Sequence, residues 1–333
     1  MAMFLNTPLP YKRYKKISKT TYFVDKTCIL NDILGCMEEE TQYICITRPR
    51  RFGKTIMANM LGAFFGKSWN SSLIFDHLKI SESEKYQKYL NQYDIIYIDF
   101  SRLPENCTSY RQYITGILPI SKYSSGSELN MFMEFKMTSM EMFGEYFGFT
   151  DAEVDILYKK YMRTCKNPQV SRQGLQEWYD GYFTVSGKRL YNPRSVVMAL
   201  RFNQLSNYWT SSGPYDEIFY YIRNDIDQIK NDLVLMISGE GIEAKIDEFA
   251  ASAMELKSRN QIYSAMVVYG LLTFSNGKVS IPNKELMLKY EELLQNEKSL
   301  GYVYQLAQVS DQMLNATLAG GYPKDGRYSS ICP

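Results

Sequence analysis

Residues 41–66 hold the feature that most constrains the fold: an apolar run, a basic turn and an amphipathic segment in direct succession. The run TQYICIT (41–47) is β-branched and aromatic without a helical period, which is typical of a buried parallel strand. The segment TIMANMLGAFFG (55–66) predicts a helix whose inward residues are Ile56, Met60, Ala63 and Phe64. Strand, turn and helix in this order indicate the start of an α/β sheet.

The turn between them, ITRPRRFGKT (46–55), has most of the chemistry of a phosphate-binding loop. The usual pattern is glycine, four residues, then Gly-Lys-Ser/Thr, and here Arg48 stands at the first glycine position. Amides at the start of a helix favour an anion, and the helix dipole adds to the attraction. Lys54 would reach the β- and γ-phosphates, and Thr55 would offer its hydroxyl to Mg²⁺. The predicted contact residues are Arg51, Phe52, Gly53, Lys54, Thr55 and Ile56.

Composition excludes several other classes of function. With 38 Lys+Arg against 36 Asp+Glu, any basic site must be local, as at RPRR (48–51). A single histidine, His77, and six cysteines without a CxxC pair argue against a zinc site and a histidine-based triad. No stretch approaches the ~18 apolar residues of a membrane span, so we expect a cytoplasmic protein without a membrane partner.

Further elements are indicated along the chain. Strands are predicted at DIIYIDFS (94–101) and YITGILPI (113–120), and Met-, Phe- and Tyr-rich helices beyond about residue 128, including LNMFMEFKMTSMEMFGEYFGF (129–149). Thr150 and Glu153 form a capping-box pattern, and Asn192-Pro193 is suited to opening a helix. Residues 260–290 predict a helix, two strands joined by SNG and a second helix, which resembles the wing of a winged-helix module.

Several strings occur together in one order along nearly the whole chain: YFVDKT (22–27), ITRPRRFGKT, IIYIDFS, YITGILPI, WYDGY (178–182), YNPRSVV (191–197), NYWTSSG (207–213) and IPNKE (281–285). Together they resemble bacterial proteins with the AAA-ATPase-like domain. The resemblance implies a P-loop NTPase fold that binds ATP with Mg²⁺, and in that family the arginine-bearing form of the loop is usual. It also implies that Thr115, in YITGI, senses the γ-phosphate, although a strand bend at Thr-Gly is an equal alternative.

The fold class expected from residues and resemblance is α/β, with an incomplete P-loop NTPase-like parallel sheet followed by a mostly helical region carrying a winged-helix-like module. The expected boundaries are 1–125 for the P-loop core, 126–255 for a helical, lid-like region, 256–318 for the winged-helix-like module and 319–333 for a tail.

The sequence differs from the family that it resembles at the strand whose acidic residues hydrolysis requires. Relatives carry an acidic strand between the counterparts of IDFS and YITGILPI, and only RLPENCTSYRQ (102–112) separates those segments here. Such a short connection cannot hold helix, strand and helix. Asp99, at the end of IIYID, is the substitute metal ligand we consider, beside Thr55. Relatives commonly continue into a PD-(D/E)XK nuclease domain, which the tail does not resemble. We therefore expect ATP binding with impaired hydrolysis, and leave the assignment as an enzyme open.

Two alternatives stand beside this reading. In one, RPRR and the wing form a nucleic-acid-binding or protein-interaction module on a vestigial NTPase scaffold, with DNA or another protein as partner. In the other, the deletion leaves a gene remnant that exposes strand edges and aggregates. Tyr22 and Phe23 could pack on an adenine, but ordinary core packing is the favoured interpretation.

Overall fold

The computed structural model describes residues 2–39, 43–99, 133–209, 227–246 and 258–296. The first two of these ranges and the start of the third hold four strands and five helices, with one 3₁₀ turn at Lys79–Glu82. In chain order they are β1 (Ala2–Leu5), α1 (Leu9–Ser18), α2 (Ile29–Glu38), β2 (Ile44–Thr47), α3 (Lys54–Phe65), α4 (Ser72–Phe75), α5 (Tyr86–Tyr89), β3 (Ile96–Asp99) and β4 (Met133–Lys136).

The remaining described elements are mostly helical. They are α6 (Asp151–Thr164), α7 (Arg172–Tyr179), β5 (Tyr182–Phe183), β6 (Arg189–Leu190), α8 (Pro193–Phe202), α9 (Asp227–Ile237), β7 (Ile242–Glu243), α10 (Arg259–Tyr269), β8 (Thr273–Ser275), β9 (Lys278–Ser280) and α11 (Lys284–Asn296). The helix, hairpin and helix expected over 260–290 are confirmed as α10, β8–β9 and α11, and β7 pairs on the free edge of β9. No helix within the described ranges combines the length and apolarity needed to cross a bilayer.

The chain is a mixed α/β protein with a short parallel sheet. Strands β2 and β4 pair in parallel, with Ile44 opposite Met133 and Thr47 opposite Lys136. Strand β3 pairs antiparallel with β1, an N-terminal strand that the sequence analysis did not predict. The predicted strand at 113–120 lies outside the described residues.

The prediction of a helix over 129–149 is wrong for its described part. Residues 133–136 form β4, and turns follow from 137 to 146. The segment alternates in the manner of a strand, since Phe135 and Met137 are buried while Glu134 and Lys136 are half-buried. Phe143 and Gly148 have φ values of 66° and 91°, which no helix accommodates.

Local signals at other helix ends are confirmed. Thr150 and Glu153 form a complete capping box at α6, and Asn192 caps α8 with Pro193 in its first turn. The predicted inward face of α3 needs one correction. Ile56 is 42% exposed, whereas Met57 is buried. The inward face of the helix therefore begins at Met57 and continues through the predicted Met60, Ala63 and Phe64.

Two hydrophobic cores organise the described residues. The first joins side chains of α2, α3 and β4 with side chains of α9, α10 and α11. The second lies among α6, α7 and α8, with Phe149 at its border and Tyr22 and Val24 packed against it. The turn after β2 lies close to the border between the two cores, because Phe52 belongs to the first core and touches the glycine before Phe149.

Candidate functional site

The loop between β2 and α3 has the backbone of an anion cradle. Arg51 and Gly53 both have left-handed backbones, with φ of 71° and 86°. The first regular helical bond runs from the Met57 amide to the Gly53 carbonyl at 3.0 Å. The amides of Lys54, Thr55 and Ile56 come before that bond, and none of them has an acceptor within the described part of the chain. Free amides at a helix start, next to a left-handed turn, suit an anionic ligand.

The Lys54 side chain crosses back over the loop. Its Nζ donates to the carbonyl oxygens of Arg48 at 2.6 Å and Pro49 at 2.7 Å. Burial, reinforced by the positive charges of Arg50 and Arg48, lowers the pKa of Lys54 to about 7. The lysine therefore holds the loop closed and carries a charge that the surrounding protein does little to stabilise.

Arg48 connects the loop to the parallel sheet. Its side chain is 2% exposed, and Nη1 donates to the carbonyls of Thr47 and Phe135 at 2.7 and 2.6 Å. The guanidinium also lies 5.1 Å from the centroid of the Phe147 ring. Burial lowers the pKa of Arg48 to about 10, with the charge of Glu141 acting in the opposite direction. The RPRR run is thus not a uniformly solvated basic turn, because its first arginine is a buried tie between β2 and β4.

Residues from the C-terminal half brace the loop from behind. Phe52 packs edge-on against Tyr182 with ring centroids 4.8 Å apart, and the Tyr182 hydroxyl donates to the Gly270 carbonyl at 3.0 Å. A Cβ at Gly270 would lie 2.7 Å from Cβ of Pro49, so glycine is needed for this close contact. The loop is therefore fixed on its rear face by side chains rather than left as an exposed turn.

A cavity of about 510 Å³ opens on the front of the loop. Its volume falls within the range of sites for small organic ligands. One wall is apolar and aromatic, and four cationic side chains belong to the lining: Lys26, Arg51, Lys54 and Arg194. No acidic side chain belongs to the lining formed by the described residues. The cavity therefore suits a ligand with a flat apolar part and a multiply negative part.

The structure brings together all six residues predicted to contact phosphate, since Arg51 to Ile56 line this cavity in one continuous stretch. Asp99 ends β3, and its side chain lies outside the described part of the chain, as does Thr115. Within the described ranges no group of three or more histidine, cysteine, aspartate or glutamate side chains could hold a metal ion.

Other lining residues were missed by the sequence analysis. They come from α1, from the segment 20–26 and from α8: Tyr14, Ile17, Thr20, Val24, Lys26, Pro193, Arg194 and Val197. Tyr22 and Phe23, interpreted as ordinary core aromatics, also line the cavity. The strings YFVDKT and YNPRSVV marked these segments, but nothing in either string shows that α8 lies opposite the loop.

Comparison with known proteins found a family model that covers the loop. Residues 8–169 match the family model AAA-ATPase-like, described as predicted AAA-ATPase. Neither the curated proteins nor the solved structures gave a match. The matched region includes the loop, the segment 20–26 and α6, while α8 follows it. Residues 8–169, just under half of the 333-residue chain, are therefore similar to the AAA-ATPase-like family.

Proposed function

We propose that the protein binds ATP in this cavity, with the triphosphate on the start of α3 and the base against the aromatic wall. The observation that supports the proposal most strongly is that the aromatic wall and the start of α3 line the same cavity. A cavity of about 510 Å³ ends on the helix-opening amides of Lys54, Thr55 and Ile56. The match of residues 8–169 to the AAA-ATPase-like family supports the same ligand class.

The triphosphate would be held by backbone and charge together. The amides at the start of α3 would donate to phosphate oxygens, and the helix dipole would favour their negative charge. Lys54 would exchange its two carbonyl partners for the β- and γ-phosphates. Arg51 and Arg194 also line the cavity and would add charge to that of the loop.

The base would lie among Tyr14, Tyr22, Phe23 and Val197, which line the apolar part of the cavity. Aromatic rings gain offset stacking and edge contacts with a flat partner, beyond the area that they bury. The backbone of 20–24 runs along this wall without a helix or strand, and its Thr20 and Phe23 amides donate to the Ile17 and Thr20 carbonyls at 2.9 and 3.3 Å.

Mg²⁺ is proposed to bind with the nucleotide, and Thr55 is the ligand that the geometry favours. Its exposed side chain lies on the second residue of α3 and lines the cavity. Bound there, the metal would offset phosphate charge. Asp99 stays the second candidate ligand on sequence grounds. We further propose that hydrolysis is impaired, because the connection at 102–112 is too short for the acidic strand of the family.

The finer fold assignment belongs to the same proposal. We propose that β2, the loop and α3 are the phosphate-binding unit of a P-loop NTPase fold, and that α10 to α11 form a winged-helix-like module. The parallel pairing of β2 with β4 supports the first assignment, and the hairpin between two helices supports the second.

Thermal unfolding in the presence of MgATP tests the proposal. We expect ATP to raise the unfolding temperature of the wild type, since ligand at one hundred times its Kd adds about 2.7 kcal/mol of stability. In Lys54→Ala the ATP-induced increase should be largely lost. Each variant is compared with its own nucleotide-free sample, because removal of a buried lysine changes stability by itself.

Lys67→Ala is the matched control, because this exposed lysine follows α3 directly and pairs with Asp94 on the surface. It should keep the full response to ATP. A wild type without any response, or a Lys54→Ala variant with the full response, would contradict binding at this loop. Phosphate release by the ATP-bound wild type at the rate of an active ATPase would contradict impaired hydrolysis alone.

A further inference from the structure

A partly buried ion pair lies at the edge of the cavity and uses residues to which the proposed function assigns no role. Lys26 Nζ donates to Glu153 Oε2 at 2.7 Å and to the Glu145 carbonyl at 2.6 Å. The two side chains of the pair are only 15% and 19% exposed. Burial lowers the pKa of Lys26, against the raising effect of Glu153. A pair so far removed from water costs free energy to bury, which makes a specific role reasonable.

Lys26 closes the segment that forms the aromatic wall. Residues 20–26 lie between α1 and α2 without a helix or strand to fix them. The Asp25 carboxylate accepts from the Lys79 amide at 2.7 Å, and the Tyr22 hydroxyl donates to the Leu200 carbonyl at 3.4 Å. Tyr22 and Val24 also pack against the second core, and the Phe23 and Tyr14 rings meet edge-on with centroids 6.1 Å apart. The Lys26–Glu153 contact is thus an ion pair added to apolar and hydrogen-bonded contacts of this wall.

Glu153 lies on α6 and is not among the residues that line the cavity. It is the third residue of α6, and its carboxylate also accepts from the Thr150 amide at 2.9 Å in the capping box. Val154 and Leu157, on the same helix, are fully buried in the second core. The pair therefore ties the aromatic wall to α6.

We propose that Lys26 and Glu153 are a positioning pair that sets the aromatic wall against the phosphate loop, and so determines how much the base adds to nucleotide affinity. This inference rests on the proposed function. It predicts that loss of the pair lowers the affinity for ligands that carry a base and leaves the affinity for ligands that consist of phosphates only unchanged.

Calorimetric titration with ATP and with inorganic tripolyphosphate separates the two contributions. Glu153→Gln keeps an oxygen for the capping box, which accepts Glu or Gln, but removes the charge that Lys26 needs. We expect the preference for ATP over tripolyphosphate to fall about tenfold in Glu153→Gln and in Lys26→Met. Tenfold corresponds to about 1.4 kcal/mol, which is a usual coupling energy for two side chains that contact each other. Lys26→Arg should restore part of the preference, and tripolyphosphate affinity should stay near that of the wild type.

Two matched variants identify effects that are merely structural. Thr150→Ala removes the cap and keeps the ion pair, so it should lower stability without changing the preference for ATP. Lys188→Met removes a more exposed ion pair to Glu145, whose carbonyl Lys26 also contacts, and should leave the preference unchanged.

The possible results distinguish the inference from the function on which it rests. A wild type that binds neither ligand overturns the proposed function, and the inference with it. A wild type that prefers ATP, together with the same preference in Glu153→Gln and Lys26→Met, overturns the inference alone. Equal weakening of ATP and tripolyphosphate in Lys26→Met would also overturn it, because Lys26 would then be a phosphate ligand.

Discussion

At the scale of single residues, Glu285 is a buried carboxylate outside the cavity. It is 1% exposed, and its carboxylate accepts from the amides of Tyr208 and Trp209 at 2.6 and 2.7 Å and from the Ser195 hydroxyl at 2.9 Å. Burial raises its pKa to about 7, despite these donors. The folded protein therefore holds a proton on Glu285 at pH values where the unfolded chain has released it.

This raised pKa predicts a pH-dependent stability. The favourable contribution of protonated Glu285 is present below the ordinary value of 4.5 and is lost as the pH rises through about 7. Glu285→Gln keeps an oxygen for the two amides and cannot ionise. We expect its stability relative to wild type to increase by up to about 3 kcal/mol between pH 4.5 and pH 8, measured by urea unfolding.

The exposed Glu240, between α9 and β7, provides the control. Glu240→Gln should follow the wild-type pH profile. The prediction fails if the Glu285→Gln profile runs parallel to that of the wild type across the same pH range.

The contacts of Arg48 could not be predicted from the sequence. The pattern of glycines marked it as a departure from the usual loop, and the resemblance marked it as usual for the family. Its physical role depends on the carbonyl of Phe135, a residue 87 positions further along the chain, and on the ring of Phe147. No local pattern contains such a contact, because it exists only after β2 and β4 have paired.

At the scale of elements, the predictions that held were those whose physics is local. The capping box at α6, the Asn-Pro start of α8 and the hairpin at Asn276-Gly277 each depend on a few adjacent residues. The predicted helix at 129–149 is wrong for its described part because residues 133–137 alternate with a period of two, a strand pattern, although Met and Phe are abundant there. Strand β1 depends on pairing with β3, which is more than 90 positions away.

Helix α1 packs against α3 through a glycine, and this contact predicts opposite results for two similar substitutions. A Cβ at Gly62 would lie 2.7 Å from Cβ of Pro10, whereas a Cβ at Gly35 in α2 would meet nothing within 4 Å. Alanine improves helix propensity by about 1 kcal/mol at either site. At Gly62 that gain should be exceeded by a clash costing about 1–3 kcal/mol against a rigid ring.

We therefore expect Gly35→Ala to raise the free energy of unfolding and Gly62→Ala to lower it, both measured by chemical denaturation. Stabilisation by both substitutions would show that α1 moves aside easily, and that the α1–α3 contact does not fix the cavity wall carried by Tyr14 and Ile17.

At the scale of the whole molecule, four of the eight strings that carried the family resemblance contribute residues to one buried junction. Asn283 Nδ2 donates to the Asp180 carbonyl at 3.0 Å, and Glu285 receives Ser195 and the backbone of 208–209. Thus WYDGY, YNPRSVV, residues 207–209 and IPNKE contribute to contacts around the start of α11. The sequence showed their order, but it could not show that they share a contact.

The candidate site also has a part that the sequence predicts and a part that only the structure shows. The loop, its lysine and its threonine could be predicted from one ten-residue string, because a helix start creates its own anion site. Tyr22 and Phe23 were candidates for an adenine contact, although core packing was the favoured interpretation. Tyr14 and Arg194 could not be predicted as lining residues, since they reach the cavity from opposite ends of residues 14–198. The second metal ligand stays a prediction, because the Asp99 side chain lies outside the described residues.

The central claim is that the amides opening α3 receive the phosphates of ATP, and backbone amide NMR during an ATP titration tests it most directly. The account predicts that the resonances of Gly53, Lys54, Thr55 and Ile56 shift together and saturate at one Kd, with smaller shifts in residues 20–24. Saturable ATP binding that leaves these four amides unchanged, while resonances elsewhere move, would contradict it.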